Sequence, residues 1–166
     1  LGDVYKRQVY EMEKWSKMKL EIFRGDSFQI VIDNPYEAVR IAILIRAGLQ
    51  KSTPEGSEIK WDARLALGLG SVNFSQEESV TESDGEAFRN SGWEFDELGK
   101  RKLAIRTPWQ NMNDELKVST AFADDIVSEW SVAQAQAIYA SLIHSKTQKE
   151  IAADLNTSPQ NISKRI

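Results

Sequence analysis

Residues 147–166, TQKEIAADLNTSPQNISKRI, punctuate two short helices and a corner between them, and no other stretch of the chain leaves so little freedom of fold. Thr147 and Glu150 have the Thr-x-x-Glu spacing of a capping box, in which each side chain satisfies an orphan backbone N–H at a helix start. The spacing predicts a helix from Gln148, with Ile151 and Leu155 one turn apart on its inward face. Ala152 and Ala153 are small enough for a second helix to come close. Asn156 tolerates the left-handed conformation of a sharp corner. Ser158 is a natural N-cap, and Pro159 suits the first helical position, where its missing N–H costs nothing. In the second helix Ile162 and Ile166 are spaced to pack inward, so Gln160, Asn161 and Lys164 share the outer face, flanked by Ser163 and Arg165.

Amides, hydroxyls and cations on one helix face are the groups that read base edges and grip phosphates. The candidate DNA contacts are therefore Thr147, Gln148, Ser158, Gln160, Asn161, Ser163, Lys164 and Arg165. The pattern resembles the helix-turn-helix of bacterial transcription regulators and of the promoter-reading domain of sigma factors. Residues 131–143 supply the supporting helix, with Val132, Ala135, Ile138, Tyr139 and Leu142 at helical spacing. Residues 131–166 carry a net charge of +2, and the remaining 130 residues sum to −6. A weakly basic tip on an acidic body implies contact with double-stranded DNA by one edge, with a second copy in a homodimer supplying useful affinity.

Upstream, residues 20–33, LEIFRGDSFQIVID, place two β-rich runs around Gly25-Asp26, a pair suited to a two-residue hairpin turn. Alternation puts Ile22 opposite Glu21 and Phe23, and lines Phe28, Ile30 and Ile32 along one face of the returning strand. A helix is predicted from Pro35, with an apolar stripe through Ala38, Val39, Ala42, Ile43, Ile45 and Ala47 that stops at Gly48. Residues 51–59 read as loop and 61–70, WDARLALGLG, as a strand with Ala63, Leu65, Leu67 and Leu69 on one face. Gly68 and Gly70 are too sparse for a nucleotide loop and read as relief of crowding at a strand end. A helix over 84–98 would bury Ala87, Phe88, Ser91, Trp93, Phe95 and Leu98. A short strand follows over 103–107. A last long helix over 113–130 would pack Leu116, Val118, Phe122, Ile126 and Trp130 before leading without a linker into the terminal helices. The order hairpin, helix, strand, helix, strand suits an α+β sandwich of the ferredoxin-like type, a mixed sheet with helices on one face. The domain reading is thus residues 9–110 for this sandwich and 111–166 for a helical region, with the small all-α helix-turn-helix at 131–166.

FRGDSFQIVI, RLALGLG and ESDGEAFRNSGWEFDEL together resemble the SatD family of bacterial proteins across most of residues 20–166, and more broadly the core of class III nucleotide cyclases and diguanylate cyclases. The resemblance implies that Asp26 occupies the hairpin position whose carboxylate holds magnesium in those enzymes, with a second carboxylate on a first strand upstream. Mg²⁺ or a nucleotide is the ligand such a site would take; read without the resemblance, Asp26 is a turn residue. Where cyclases place a transition-state Asn and Arg, this chain has Arg89 and Trp93. Trp93 cannot donate bidentate charged hydrogen bonds, although Arg89 and Asn90 could hold a phosphate. The expectation is a catalytically degenerate sensing or dimerisation domain joined to a DNA-binding tip. The alternative is a Mg-dependent nucleotide enzyme with a helical docking tail.

Composition excludes several classes. The absence of cysteine removes disulfides and thiolate metal sites, and the one histidine, His144, reads as a helix-end surface residue. A cytoplasmic, reducing location is the natural inference. No run reaches the ~20 apolar residues of a membrane span. Glu77, Glu78, Glu82, Asp84 and Glu86 read as a solvated acidic connector, and the scattered tryptophans as core and boundary packing rather than a stacking platform. Asp3–Gln8, DVYKRQ, looks like the translation of a transposon end used in sequencing adapters, so residues 1–8 are read as non-native and expected to be disordered or to form an accidental local structure. Both chain ends read as truncated, the second helix of the tip stopping after barely two turns.

Overall fold

The computed structural model describes residues 2–23, 27–73, 84–144 and 146–166, and their architecture is α+β. Helix α1 (Gly2–Met12) leads into an antiparallel hairpin of β1 (Met18–Phe23) and β2 (Ser27–Ile32), in register from Met18↔Ile32 to Phe23↔Ser27. After a single 3-10 turn at Pro35–Glu37, capped by the Asn34 side chain, α2 (Ala38–Lys51) follows. Then come β3 (Leu65–Gly68), β4 (Val72–Asn73), β5 (Asp84–Gly85), α3 (Glu86–Asp96) and β6 (Leu103–Arg106). The chain ends in four helices: α4 (Gln110–Glu129), α5 (Val132–His144), α6 (Gln148–Asp154) and α7 (Pro159–Arg165). Strands β3 and β6 are parallel, joined through α3, and β4 pairs with β5. The described strands thus form three two-stranded pieces; no ladder joins the hairpin to the β3–β6 pair.

The main core surrounds α2. Ile41, Leu44, Ile45, Ala47 and Leu49 meet Tyr5 and Met12 of α1 and Tyr139 and Ile143 of α5. The hairpin lays Met18, Leu20, Ile22, Phe28, Ile30 and Ile32 against this cluster, the face that alternation assigns. Within the segment expected to be disordered or to form only an accidental local structure, Tyr5 and Gln8 are buried, and the Tyr5 ring lies 4.3 Å from that of Phe28. Val4, Tyr5, Gln8, Val9 and Met12 recur at helical spacing, so whatever its origin the segment carries an amphipathic face that the core can accept. Helix α2 also runs past Gly48 to Lys51. Gly48 interrupts nothing because its missing side chain makes room for Gln8, whose Nε2 would lie 1.4 Å from a Cβ there.

On two helices, residues expected inside are exposed. On α4, Val118, Phe122 and Ile126 point to solvent, and Thr120, Asp124 and Val127 are the buried positions. The cause is Arg46, which is fully buried. Its guanidinium donates to both Asp62 oxygens at 2.9 Å, to Asp124 Oδ1 at 2.7 Å and to Ser128 Oγ at 2.8 Å. Asp124 also accepts the Lys102 backbone N–H at 2.8 Å, which locks α4 onto the start of β6. A buried cation requires its counterions, and that requirement overrides the apolar periodicity of α4. On α3, Trp93 and Phe95 are exposed, carrying Arg106 and Arg64 over their rings at 5.6 and 5.3 Å, while Asn90 is the buried residue. Trp109 is exposed as well, so core packing does not describe the tryptophans uniformly. Gly68 behaves as expected of crowding: a Cβ there would stand 2.0 Å from the Ala87 carbonyl oxygen, which is how closely α3 approaches β3.

Candidate nucleic-acid interface

The local chemistry of residues 147–166 folds as the spacing predicts. Thr147 accepts the Glu150 N–H, and the Glu150 carboxylate takes both the Thr147 N–H, at 2.8 Å, and the Thr147 hydroxyl, at 2.7 Å. These hydrogen bonds hold the Glu150 carboxyl below the usual carboxylate range. At the other end of α6, Asn156 has φ +47°, with its N–H on Ala153 O at 3.2 Å and the Thr157 N–H on Ala152 O at 2.9 Å. That pair of bonds is a Schellman corner, which satisfies the last carbonyls of α6 while reversing the chain. Ser158 then caps α7 by accepting the Asn161 N–H at 3.2 Å, and Pro159 opens it.

The two helices close on a small apolar cluster of Ile151, Ala152 and Ile162 against Ala137, with Ala140 and Leu155 at its edge. Burial of Ile162 fixes the rotation of α7. Gln160, Asn161, Ser163 and Lys164 are exposed, and Arg165 is half-buried. Among these, Asn161 has a prior commitment: its Nδ2 donates to Thr157 Oγ1 at 3.1 Å. Ile166, expected inside, is exposed, standing at the C-cap of α7 beyond its last helical residue.

Of the α6 candidates, Gln148 is exposed, whereas the Thr147 hydroxyl donates its proton to Glu150 and serves the cap. The Ser158 hydroxyl oxygen likewise serves as a cap acceptor. Lys149, not among the expected contacts, is exposed one position after Gln148, and its place in the first turn of α6 was the signal available. Lys146 is engaged by Asp154 and His144 is an exposed end of α5, as expected.

Of the proposed ligand positions on the body, Arg89 and Asn90 lie among the described residues. Arg89 is exposed and paired with Asp84 at 2.8 Å. Asn90 is corrected as a phosphate contact: it is buried, and its Nδ2 donates to Leu69 O at 2.7 Å, clamping α3 onto the end of β3. Asp26, the Gly25-Asp26 turn and most of the acidic connector fall outside the described residues. Among the described residues no group of three or more His, Cys, Asp or Glu side chains is placed to hold a metal ion, and no helix is long and apolar enough to cross a membrane.

Comparison with known proteins finds no matching family model, no matching curated protein and no matching solved structure.

Proposed function

We propose that this chain binds duplex DNA through α7, with α6 and α5 bracing that helix, as a SatD-like cytoplasmic transcriptional regulator. One observation carries the reading: α7 buries Ile162 completely and turns Gln160, Asn161 and Lys164 outward, on the second helix of a capped and sharply cornered pair. Paired donors and acceptors on an amide match the edge of adenine, and an ammonium one turn away matches a phosphate. The α+β body is read as a cyclase-like, ferredoxin-like domain without catalysis, serving sensing or dimerisation. Element order supports that reading, and so does Asn90, whose amide is spent inside the protein.

The test is selection of duplexes from a random pool by the full chain, followed by titrations at several salt concentrations. Lys164→Ala is expected to weaken all duplexes alike and to reduce the salt slope by about one. Gln160→Ala and Asn161→Ala are expected to cost about 1–3 kcal/mol at the selected site and to relax its preference. A pool that yields no common sequence, with binding unchanged in all three variants, would overturn the reading.

A further inference from the structure

We propose that the outer face of α4 is a docking site for a basic amphipathic helix on a partner protein. The proposal stands apart from DNA reading, since none of its residues is a candidate base or phosphate contact except Arg165 at its margin.

Val118, Phe122 and Ile126 lie one turn apart on this helix and are 60%, 66% and 60% exposed. Three large apolar side chains in a row, so far out of the core, exceed the scattered exposure that needs no explanation. At ~100° per residue, Glu115 and Glu129 fall within about 20° of Phe122 around the axis, and Asp125 within about 60°. All three carboxylates are exposed. Lys117, the cation of this helix, sits about 140° away by the same geometry. The face is therefore an apolar stripe closed at each end by a glutamate and edged by an aspartate.

The stripe runs into a shallow, open depression of about 480 Å³ lined by residues of α4, the first turn of α5 and the end of α7. Ile126, Trp130 and Ile166 supply its apolar lining, Asp125 and Glu129 its carboxylates, and Arg165 its one cation. From Val118 to Trp130 the surface is ~18 Å long at ~1.5 Å per residue, the length of a three-turn helix. Amphipathic helices dock on such surfaces by side chains at i, i+3, i+4 and i+7.

Charge decides the occupant. A second copy laid antiparallel about Phe122 sets Val118 against Ile126 but also Glu115 against Glu129, and a parallel copy sets each glutamate against itself. Either pairing brings like charges together around an apolar seam, which is unfavourable. A helix with an apolar seam and Lys or Arg on its flanks meets complementary charge at both ends and along one side.

The experiment uses the full chain and two synthetic helices with one apolar seam, the first flanked by lysine and arginine and the second by glutamate. Fluorescence anisotropy is expected to show the basic helix binding at least tenfold tighter, more weakly as salt rises from 50 to 500 mM, and at least tenfold more weakly to Phe122→Asp. Phe122 is exposed, so this variant should keep the circular dichroism and melting curve of the parent. The double substitution Asp125→Lys with Glu129→Lys should reverse the flank preference. Equal affinity for the two helices, no binding of either, or indifference to Phe122→Asp overturns the proposal. So does sedimentation showing a parent dimer that Phe122→Asp makes monomeric, because a second copy would then own the face.

Discussion

Arg46 sits at 0% exposure among the aliphatic residues of α2, and a guanidinium there survives only because Asp62, Asp124 and Ser128 use its donors. Arg46→Ala strands two buried carboxylates and should lower unfolding free energy by about 3–5 kcal/mol in urea titrations. Arg46→Lys should recover little of this, since an ammonium cannot grip Asp62 through two parallel bonds while also reaching Asp124. Burial alone would push the Asp62 carboxyl upward, but the hydrogen bonds and charge of Arg46, helped by Lys102, outweigh it and hold the group below its ordinary 3.8. A depressed folded value makes the contribution complete above the unfolded value and progressively lost as pH falls through the folded one. The urea midpoint of the parent should therefore drop steeply below about pH 4, while Asp62→Asn, already weaker at pH 7, should show a shallower drop. Equal slopes for the two proteins would remove Asp62 from the acid transition. Gly68→Ala, which puts a methyl into the Ala87 carbonyl, should cost about 1–3 kcal/mol by the same measurement.

At the scale of elements, what the sequence makes legible is what neighbours in sequence decide. The Thr147–Glu150 box, the left-handed Asn156 and the Ser158-Pro159 start all depend on contacts within six residues, and each forms as its spacing implies. Thr147→Ala should therefore cost about 1 kcal/mol. Asn156→Gly should be tolerated where Asn156→Val costs about 1–2 kcal/mol, because a branched side chain resists positive φ; thermal melts of the three variants separate the cases. The hairpin face is legible for the same reason. Helices α3 and α4 are not, because their rotation is set by partners distant in sequence: Asp124 is 78 residues from Arg46, and Asn90 is 21 from Leu69. Apolar spacing assigns Phe122 and Trp93 inward, and a buried polar residue on each helix assigns them outward. Tyr5, Gln8 and Met12 have the spacing of a packed helix, but what they pack against, α2 and the hairpin, is again distant in sequence.

For the whole molecule, α5 is the decisive element, since it belongs to two cores at once. Tyr139 and Ile143 pack with α2 in the main cluster, and Ala137 closes the small cluster of α6 and α7. Only Trp130 and Ser131 separate α4 from α5, and Lys60 ties this junction down by donating to the carbonyls of Ser128 and Trp130 at 2.7 and 2.5 Å. The terminal helices are thus mounted on the body rather than tethered to it, and their own cluster of four buried residues is too small to hold three helices alone. Truncating Ile143 removes apolar contact from the main core only, at about 2–5 kcal/mol. If the two cores share one unfolding transition, the amides of α6 and α7 should lose hydrogen-exchange protection in Ile143→Ala in step with those of α2. Loss confined to α2, with α6 and α7 keeping parental exchange rates, would make the tip an independent unit. In the coupled case, anything that stabilises α2 against α5 also stabilises the platform from which Gln160, Asn161 and Lys164 project, so on the proposed DNA-binding reading a ligand that stabilised the body would change DNA affinity without touching DNA.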